Sequence, residues 1–202
     1  MIDPSARVHP SAVVESNVTI GARTSVWHRA HLRTGVHLGS ECVVGGGVYV
    51  DAGVVIGNRV KIQNHALVYH GVTVGNGVFI GPGAILTNDR NPRSTTAEGE
   101  LAGTDDWVVT RTSLADGSSI GAGAIVVAGC DVGSFALVGA GTVVTRPVPP
   151  YALVVGNPAR LIGWVCRCGV RLVQTPASVS RLACPRCERV FLLEGPTQLV
   201  EP

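Results

Sequence analysis

The sequence has few charged residues and no long apolar run. Charged residues make up 15% of the chain, and the formal net charge is +2. Fifteen of the sixteen basic residues are arginines, and because they are scattered, they do not predict a nucleic-acid-binding surface. The first residues lack the basic and apolar regions of a signal peptide, and no segment reaches membrane-spanning length. The sequence therefore predicts a cytoplasmic protein, and the low charge indicates that other subunits cover part of its surface.

The dominant pattern is a repeat of six residues. An aliphatic residue recurs at every sixth position from Val8 to Leu86, and a small or β-branched residue follows four positions after most of them. A period of six fits neither an α-helix nor a simple strand. Three hexads form one triangular coil with these two residues pointing inward, which is typical of the left-handed parallel β-helix, an exception to right-handed crossovers. A β-sandwich would not keep a strict period over so many repeats.

The period is interrupted once and then ends. Residues 88–113 are polar, turn-forming and without a period, so we expect a loop inserted at one corner. Hexads resume at Leu114, which is not a multiple of six from Leu86, and stop after Pro147. The predicted fold is therefore all-β: a left-handed β-helix over residues 1–149 with the loop at 88–113, an extended tail at 150–163, and a small zinc-ribbon-like module at 164–202.

Stacking arithmetic brings the outward polar residues together. Residues eighteen apart lie in one column of the triangular coil, roughly 4.8 Å from each other. Asn88 therefore lies one coil above His70, beneath the inserted loop. The outward residues predicted to form one surface are His28, His31, Gln63, Asn64, His65, Tyr69, His70, Asn88 and Arg90. Burying the flat sides of the prism in a homotrimer is the simplest closed assembly, and ligand sites are then expected between subunits.

Several runs of the sequence carry a family resemblance. They are Val26-Trp-His, the segment 56–64 with Lys61-Ile-Gln-Asn, the loop start Leu86-Thr-Asn-Asp-Arg-Asn-Pro-Arg-Ser, and the segments 151–160 and 162–169. These runs resemble the nucleotide-linked 3-amino-sugar N-acetyltransferases, which use acetyl-CoA on a trimeric left-handed β-helix to build surface polysaccharides. The resemblance implies acetyl transfer to the amine of a UDP- or dTDP-linked 3-amino sugar, with Asn88 orienting that amine. The residues that we predict to bind the substrate are His28, His31, Gln63, Asn64, Tyr69, Arg90 and Arg93.

The sequence departs from this family at His70. The family pattern has Asn-Asn-Val-Ser-Val-Tyr followed by Glu or Thr, whereas this chain has Asn64-His65-Ala-Leu-Val-Tyr69-His70. His70 is a candidate general base, because an imidazole titrates near neutral pH. The resemblance implies the alternative, in which the proton leaves without a protein base, towards the sulfur of CoA.

The later coils and the tail are predicted to bind acetyl-CoA. Small residues at corners let an extended pantetheine lie against backbone N–H and C=O groups. The Gly156-Asn-Pro-Ala-Arg160 segment matches the tail that covers CoA in hexapeptide transferases, with Arg160 available to a phosphate. The predicted cofactor-binding residues are Gly121, Ala122, Ala128, Gly129, Ala140, Gly141, Pro158 and Arg160.

Four of the six cysteines form a C-terminal pattern. Cys166 and Cys168, followed by Cys184 and Cys187, are spaced as two knuckles of a zinc ribbon, and four thiolates suit a tetrahedral structural zinc ion. The first knuckle is one residue shorter than usual, which strains ligation, so a metal-free ribbon is an alternative. Disulfides are not expected in the cytoplasm. The remaining cysteines, at 42 and 130, take the small inward position of a hexad and are predicted to be buried.

Three other functions stay open. A γ-carbonic-anhydrase-like metal hydratase shares the trimeric fold and binds metal through three histidines, two of them spaced as His65 and His70-Gly71 are here. Its third ligand would fall at position 29, which is Arg29. An O-acetyltransferase or a non-catalytic scaffold with the same hexads is also open. Neither the nucleotide nor the sugar is predicted, because pockets discriminate small changes by only about 1–3 kcal/mol.

Overall fold

The computed structural model describes residues 1–175, 178–195 and 198–201, which form 25 β-strands. In chain order the strands are β1 Arg7–Val8, β2 Val13–Val14, β3 Thr19–Ile20, β4 Ser25–Val26, β5 His31–Leu32, β6 His37–Leu38, β7 Val43–Val44, β8 Tyr49–Val50, β9 Val55–Ile56, β10 Lys61–Ile62, β11 Leu67–Val68, β12 Val72–Val74, β13 Phe79–Ile80, β14 Ile85–Leu86, β15 Thr112–Leu114, β16 Ser119–Ile120, β17 Ile125–Val126, β18 Leu137–Val138, β19 Val143–Val144, β20 Ala152–Val155, β21 Arg160–Trp164, β22 Val173–Thr175, β23 Ser178–Ala183, β24 Val190–Leu193 and β25 Leu199–Val200. In this described part of the chain, no helix is long and apolar enough to cross a membrane.

Three parallel sheets form the sides of a triangular solenoid. The first sheet runs from β1 to β20 through every third strand of the early coils, the second from β2 to β19 and the third from β3 to β15. The chain passes through them in this order, so each coil has a first corner between the first and second sheets, a second corner between the second and third, and a third corner leading back. Paired residues are eighteen apart, as in Lys61 and Phe79. The left-handed β-helix predicted from the hexads is confirmed.

From Val18 onward the hexads bury the two residues that the pattern predicts, whereas Val8, Ala12 and Val14 of the first coil are only partly buried. In β10, Lys61 is exposed and Ile62 is fully buried, and the small residue of the same hexad, Ala66, is also fully buried. Removing apolar surface from water contributes roughly 25 cal/mol per Å², so a continuous apolar core stabilises the coils. Cys42 and Cys130 are each 1% exposed, which confirms them as core residues.

The inserted loop leaves the solenoid at the second corner and returns to it in register. It spans residues 87–111, between β14 and β15. The predicted end at residue 113 is wrong, because Thr112 and Ser113 already pair with β12 as strand residues. Val74 pairs with Leu114, so the step between stacked residues grows from 18 to 40 here.

The solenoid continues beyond its predicted end at residue 149. Strand β20 pairs in parallel with β18, and β21 then returns antiparallel to β20. The hexad period fails here because Leu137 pairs with Leu153, an offset of 16 residues instead of 18. The turn of this hairpin packs against the second sheet, where the N–H of Ala159 donates to the carbonyl of Val143 at 2.8 Å. The predicted tail, 150–163, is therefore largely part of the first sheet.

The C-terminal module is an antiparallel sheet of β22 to β25 that docks on the last coil. The ring of Tyr151 stacks on Phe135 at 5.4 Å and meets Phe191 of the module at 5.3 Å. The guanidinium of Arg167 lies 4.8 Å from the centre of the Phe135 ring and pairs with Glu201. Trp164, the predicted first residue of the module, is instead the last residue of β21.

Candidate active site

The inserted loop lines an open cavity of about 740 Å³ beside the second corner. Asn88 lines it at the base of the loop, and Arg93, Asp106 and Trp107 line it farther along. The carbonyl oxygen of Asn88 accepts the N–H of Thr110 at 2.9 Å, which joins the outgoing and returning ends of the loop. The backbone of Asn88 is therefore held by the returning chain at the floor of a polar cavity.

His70 lines a neighbouring cavity of about 570 Å³, which shares Trp107 with the first. Val109 and Arg111, on the returning end of the loop, form its other wall. Gly71 makes this approach possible: its φ is +86°, and a Cβ there would lie 2.5 Å from Cγ1 of Val109. The structure thus brings His70 and Asn88 to the same loop, as the stacking arithmetic predicts, but they line different cavities on either side of Trp107.

The imidazole of His70 has a defined orientation. Its Nδ1 lies 2.6 Å from the carbonyl oxygen of Ala52, one coil below. A carbonyl can only accept a hydrogen bond, so Nδ1 carries the proton and Nε2 of the neutral ring keeps a free lone pair. That lone pair is what a general base needs.

Asp51 supports this corner from below. Its Oδ1 accepts the N–H of Ala52 at 2.7 Å and its Oδ2 accepts the N–H of His70 at 3.2 Å. Arg33 and the hydroxyl of Tyr49 also donate to Oδ1, at 3.0 and 3.2 Å. Burial of Asp51 opposes its ionisation, but these hydrogen bonds outweigh burial and hold the pKa of the carboxyl below its ordinary value.

Polar and aromatic side chains cross the outer face of the second sheet between the two corners. Nε2 of His31 lies 2.7 Å from a carboxylate oxygen of Glu15, and its ring meets Tyr49 edge-on at 5.6 Å. The ring of Tyr49 in turn lies 5.8 Å from that of Tyr69. The predicted substrate residues His31 and Tyr69 are therefore joined by side chains that the sequence did not single out.

The first corner holds three further predicted substrate residues. His28, Gln63 and Asn64 line a cavity of about 290 Å³ with the exposed indole of Trp27. The bare Cα of Gly46 admits the ring of His28, because a Cβ there would lie 2.6 Å from it. The residues predicted to share one surface thus lie at two corners, on opposite edges of the second sheet. Arg90 lines neither loop cavity in this structure, since its guanidinium donates to the carbonyl of Ala128 at 3.3 Å.

The predicted cofactor-binding residues also divide between the two corners. Ala122, Ala140 and Gly141 are exposed at the first corner of the last coils, with Gly121 half-buried beside them. The hairpin turn with Pro158 and Arg160 lies at the second sheet next to them. At the second corner, in contrast, Ala128 is fully buried and its N–H is bound by Thr87, and the N–H of Gly129 is bound by Thr112. Open small-residue surface is therefore found at the first corner.

The four C-terminal cysteines converge on one point. Their sulfur atoms all lie within 4.8 Å of one another, with Cys166 and Cys187 at 3.4 Å and Cys168 and Cys184 at 3.5 Å. A tetrahedral zinc with Zn–S bonds of about 2.3 Å needs sulfurs separated by roughly 3.8 Å, so the cluster fits this ion. All four thiols are free of disulfides. Within one chain, the described residues offer no other group of three or more potential metal ligands.

The cysteine thiols differ in acidity. Burial raises the pKa of Cys166 to about 12. Burial also opposes ionisation of Cys184, but hydrogen bonds from the N–H groups of Cys187 and Arg186 outweigh it and lower its pKa to about 6. A metal ion bound here would require thiolates as ligands, so its binding would release protons from these thiols.

Sequence reasoning missed the residues that support His70. Ala52 could have been found, because it lies eighteen residues below His70 in the same column. Asp51 carries no such signal, since it acts on backbone N–H groups. Trp107, Val109 and Arg111 belong to a segment without a period, so nothing in the sequence predicts which side of the corner they cover.

Models of two hexapeptide repeats match the coils. The bacterial transferase hexapeptide (six repeats) matches residues 53–88, and the hexapeptide repeat of succinyl-transferase matches residues 12–52 and 112–146. The chain belongs to the hexapeptide-repeat transferases. The matches stop at either side of the loop and before the closing hairpin, so membership in this superfamily accounts for the solenoid and leaves the loop and the cysteine module as additions.

Individual relatives match parts of the chain. The dTDP-3-amino-3,6-dideoxy-alpha-D-galactopyranose 3-N-acetyltransferase of Aneurinibacillus thermoaerophilus is 48% identical over 62 residues, 31% of this chain and 32% of that protein. A serine acetyltransferase of Escherichia coli K12 is 40% identical over 50 residues, 25% of this chain and 18% of that protein. The match thus spans only about a third or less of these curated relatives.

A solved structure shows the same fold over most of the chain. A variant of AntD, an N-acyltransferase from Bacillus cereus in complex with dTDP-4-amino-4,6-dideoxyglucose and coenzyme A, superposes with a TM-score of 0.54. It is 17% identical, and the superposition covers 82% of this chain and 80% of that chain. At this identity the likeness establishes the fold and not the substrate.

Proposed function

We propose that this hexapeptide-repeat transferase is an acetyl-CoA-dependent N-acetyltransferase acting on the amine of a nucleotide-linked 3-amino sugar. The observation that carries the proposal is the second corner, where Asn88 lines a large polar cavity and His70 presents a free Nε2 in the adjoining one. The relative with 48% identity over 62 residues is named for this reaction on a dTDP-linked sugar, which supports the same substrate class.

The chemistry requires positioning and a route for one proton. The amine nitrogen attacks the thioester carbonyl, the new C–N bond forms, and the C–S bond breaks to release CoA. The side-chain oxygen of Asn88 would accept a hydrogen bond from the amine and aim its lone pair at the carbonyl carbon. The proton lost by the amine goes either to Nε2 of His70 or to the departing CoA sulfur.

Acetyl-CoA is proposed to lie along the first corner of the last coils. Ala122, Ala140 and Gly141 leave an open path there, and the hairpin turn with Pro158 and Arg160 forms one end of it. The guanidinium of Arg160 is exposed and could pair with a phosphate of the cofactor. The second-corner residues Ala128 and Gly129 are less suited to this role, because their backbone groups are already bonded.

A homotrimer with sites between subunits is proposed to complete this arrangement. The outward positions of the second sheet are almost all apolar, and they would be buried by a neighbour: Val13, Tyr49, Leu67, Ile85, Ile125 and Val143. A neighbouring prism on this face would bring the second corner of one subunit towards the first corner of the next, and hence amine towards thioester.

The test is a panel of UDP- and dTDP-linked 3-amino and 4-amino sugars, assayed for CoA release from acetyl-CoA. Turnover on at least one 3-amino sugar, with the acetyl group on nitrogen by mass spectrometry and NMR, is expected. Absence of turnover on every 3-amino sugar would reject the proposal. Matched hydroxy sugars belong in the panel, because the 40% identity to a serine acetyltransferase favours O-acetyl transfer as the second candidate.

The cysteine module is proposed to hold a structural zinc ion through Cys166, Cys168, Cys184 and Cys187. Four sulfur ligands leave no open coordination position, so the ion would stabilise the module and take no part in catalysis. Elemental analysis of the purified protein should find about one zinc per chain, and Cys184→Ser should lower it severalfold. Cys130→Ala, which removes a thiol from the solenoid core, is the control and should keep the metal. Less than about a tenth of an equivalent in the unmodified protein would reject the zinc site.

A further inference from the structure

We infer that Asp51 is a positioning residue for His70 and sets the tautomer of its ring through the backbone of Ala52, whose N–H binds Asp51 and whose carbonyl binds the ring. Its carboxylate binds two backbone N–H groups, those of Ala52 and His70, while the carbonyl of Ala52 receives the Nδ1 proton of His70. The two hydrogen bonds of the carboxylate and the one of the ring therefore form a closed loop between adjacent coils. The orientation of the ring stands on this geometry alone, and its catalytic consequence rests on the proposed function.

The rest of the corner reinforces the carboxylate. Arg33 donates to Asp51 at 3.0 Å and pairs with Glu15 at 3.6 Å, and Glu15 also contacts His31. The side chain of Asp51 is only 13% exposed, and its hydrogen bonds to these partners hold the carboxylate in place. Above His70, the charged group that lines the same cavity is Arg111. In the described part of the chain, no carboxylate lies within hydrogen-bonding distance of the His70 ring, since Asp51 binds its backbone N–H.

Replacing the carboxylate of Asp51 by an amide of similar size would disrupt its hydrogen bonds to the backbone of Ala52 and His70. Asp51→Asn keeps one oxygen acceptor but turns an N–H₂ group towards a backbone N–H, so one of the two donors loses its acceptor. The peptide at Ala52 and the backbone of His70 are then free to move apart. The ring loses its fixed acceptor, and both neutral tautomers become populated.

The first measurement needs neither substrate nor acetyl-CoA. In protein with ¹⁵N-labelled histidine, at about pH 8, where imidazoles are mostly neutral, the nitrogen shifts of His70 should show Nδ1 protonated and Nε2 unprotonated. In Asp51→Asn the two shifts should move towards each other. Glu15→Gln, which removes a carboxylate from the same network without contact to His70, should leave them unchanged. A wild-type ring protonated at Nε2, or unchanged shifts in Asp51→Asn, would overturn the inference.

The second measurement tests the catalytic consequence. His70→Gln should lower kcat about 100-fold, as expected for loss of a general base, and Asp51→Asn alone about tenfold. In the His70→Gln background, adding Asp51→Asn should lower kcat by less than about twofold, because the residue that it positions is already gone. Equal losses in both backgrounds would contradict a role through His70. Full kcat in His70→Gln would instead reject His70 as a general base. The effect of Asp51 on the ring tautomer would then be decided by the ¹⁵N shifts alone.

Discussion

The two corners that flank the second sheet are built from the same hexads but present different chemistry. At the second corner, Asn88 and Thr110 join the two ends of the inserted loop, and Thr87 and Arg90 of the loop bind the backbone of Ala128. At the first corner, Ala122 and Ala140 are exposed and no insertion covers them. These differences fit the proposal that the second corner holds the acceptor and the first accommodates the extended cofactor. A single repeat supplies both because only its outward residues differ.

Removing the side-chain amide of Asn88 at the second corner should have the largest effect on activity. Asn88→Ala should lower kcat/KM about 100- to 1000-fold, since a side chain that positions a reacting group in a transition state contributes energies of this size. Steady-state kinetics with the best 3-amino sugar would measure it. Asn58→Ala, which removes an exposed amide at the third corner, is the control and should keep full activity. If Asn88→Ala keeps more than about a third of wild-type activity, the second corner does not hold the acceptor.

A bulky side chain at the first corner should act on the cofactor alone. Ala140→Tyr fills the exposed path proposed for pantetheine and should raise the KM for acetyl-CoA about tenfold, with kcat at saturation changed less than about threefold. Ala22→Tyr, at the same hexad position of the third corner, should change neither constant. A lower kcat with an unaltered KM for acetyl-CoA would place the cofactor elsewhere.

The smallest expected effect concerns the stability of the second corner in acid. The pKa of Asp51 is depressed in the folded protein, so its contribution is complete above its unfolded pKa, near 3.9, and is lost as the pH falls through the lower folded value. Asp51→Asn should therefore lower the free energy of unfolding by about 1–2 kcal/mol at neutral pH. The difference from wild type should shrink below about pH 4.

Urea unfolding at several pH values measures this difference. Glu41→Gln is the matched control, because the pKa of Glu41 is also lowered, by Arg23, but on an exposed third-corner surface. Its effect on stability should be smaller at every pH, since exposed ion pairs are weak. A constant difference for Asp51→Asn from neutral pH to pH 3 would show that its charge is not what stabilises the corner.

The sequence predicts the solenoid well, because the position of a residue in its hexad indicates whether its side chain points into the core or outward. The same count in eighteens brought His70 and Asn88 into one column. This count does not predict that Trp107 lies between their cavities, because the loop has no period and its path depends on tertiary contacts. Counting also fails at Leu153, where the offset changes to 16, so the first sheet extends farther than the period does.

At the first cysteine knuckle, the sequence predicts a poorer arrangement of ligands than the structure shows. The single residue between Cys166 and Cys168 predicts strained ligation, yet their sulfurs join the same cluster. Gly169, with φ at +83°, lets the chain turn back so that its N–H reaches the carbonyl of Cys166 at 2.8 Å. The glycine is visible in the sequence, but its effect on two sulfur directions is a matter of three-dimensional geometry.

The coils keep their register across the inserted loop, so the length and sequence of the loop can vary without disturbing the core. Leu114 stacks on Val74 as any residue stacks on the coil below, and the ends of the loop are joined at Asn88 and Thr110. The core therefore does not depend on the number of residues in between, and the cost of closing a loop rises only slowly with its length. If the loop holds the acceptor as proposed, replacing this one segment would change the acceptor preference while the core and the first corner keep their sequence.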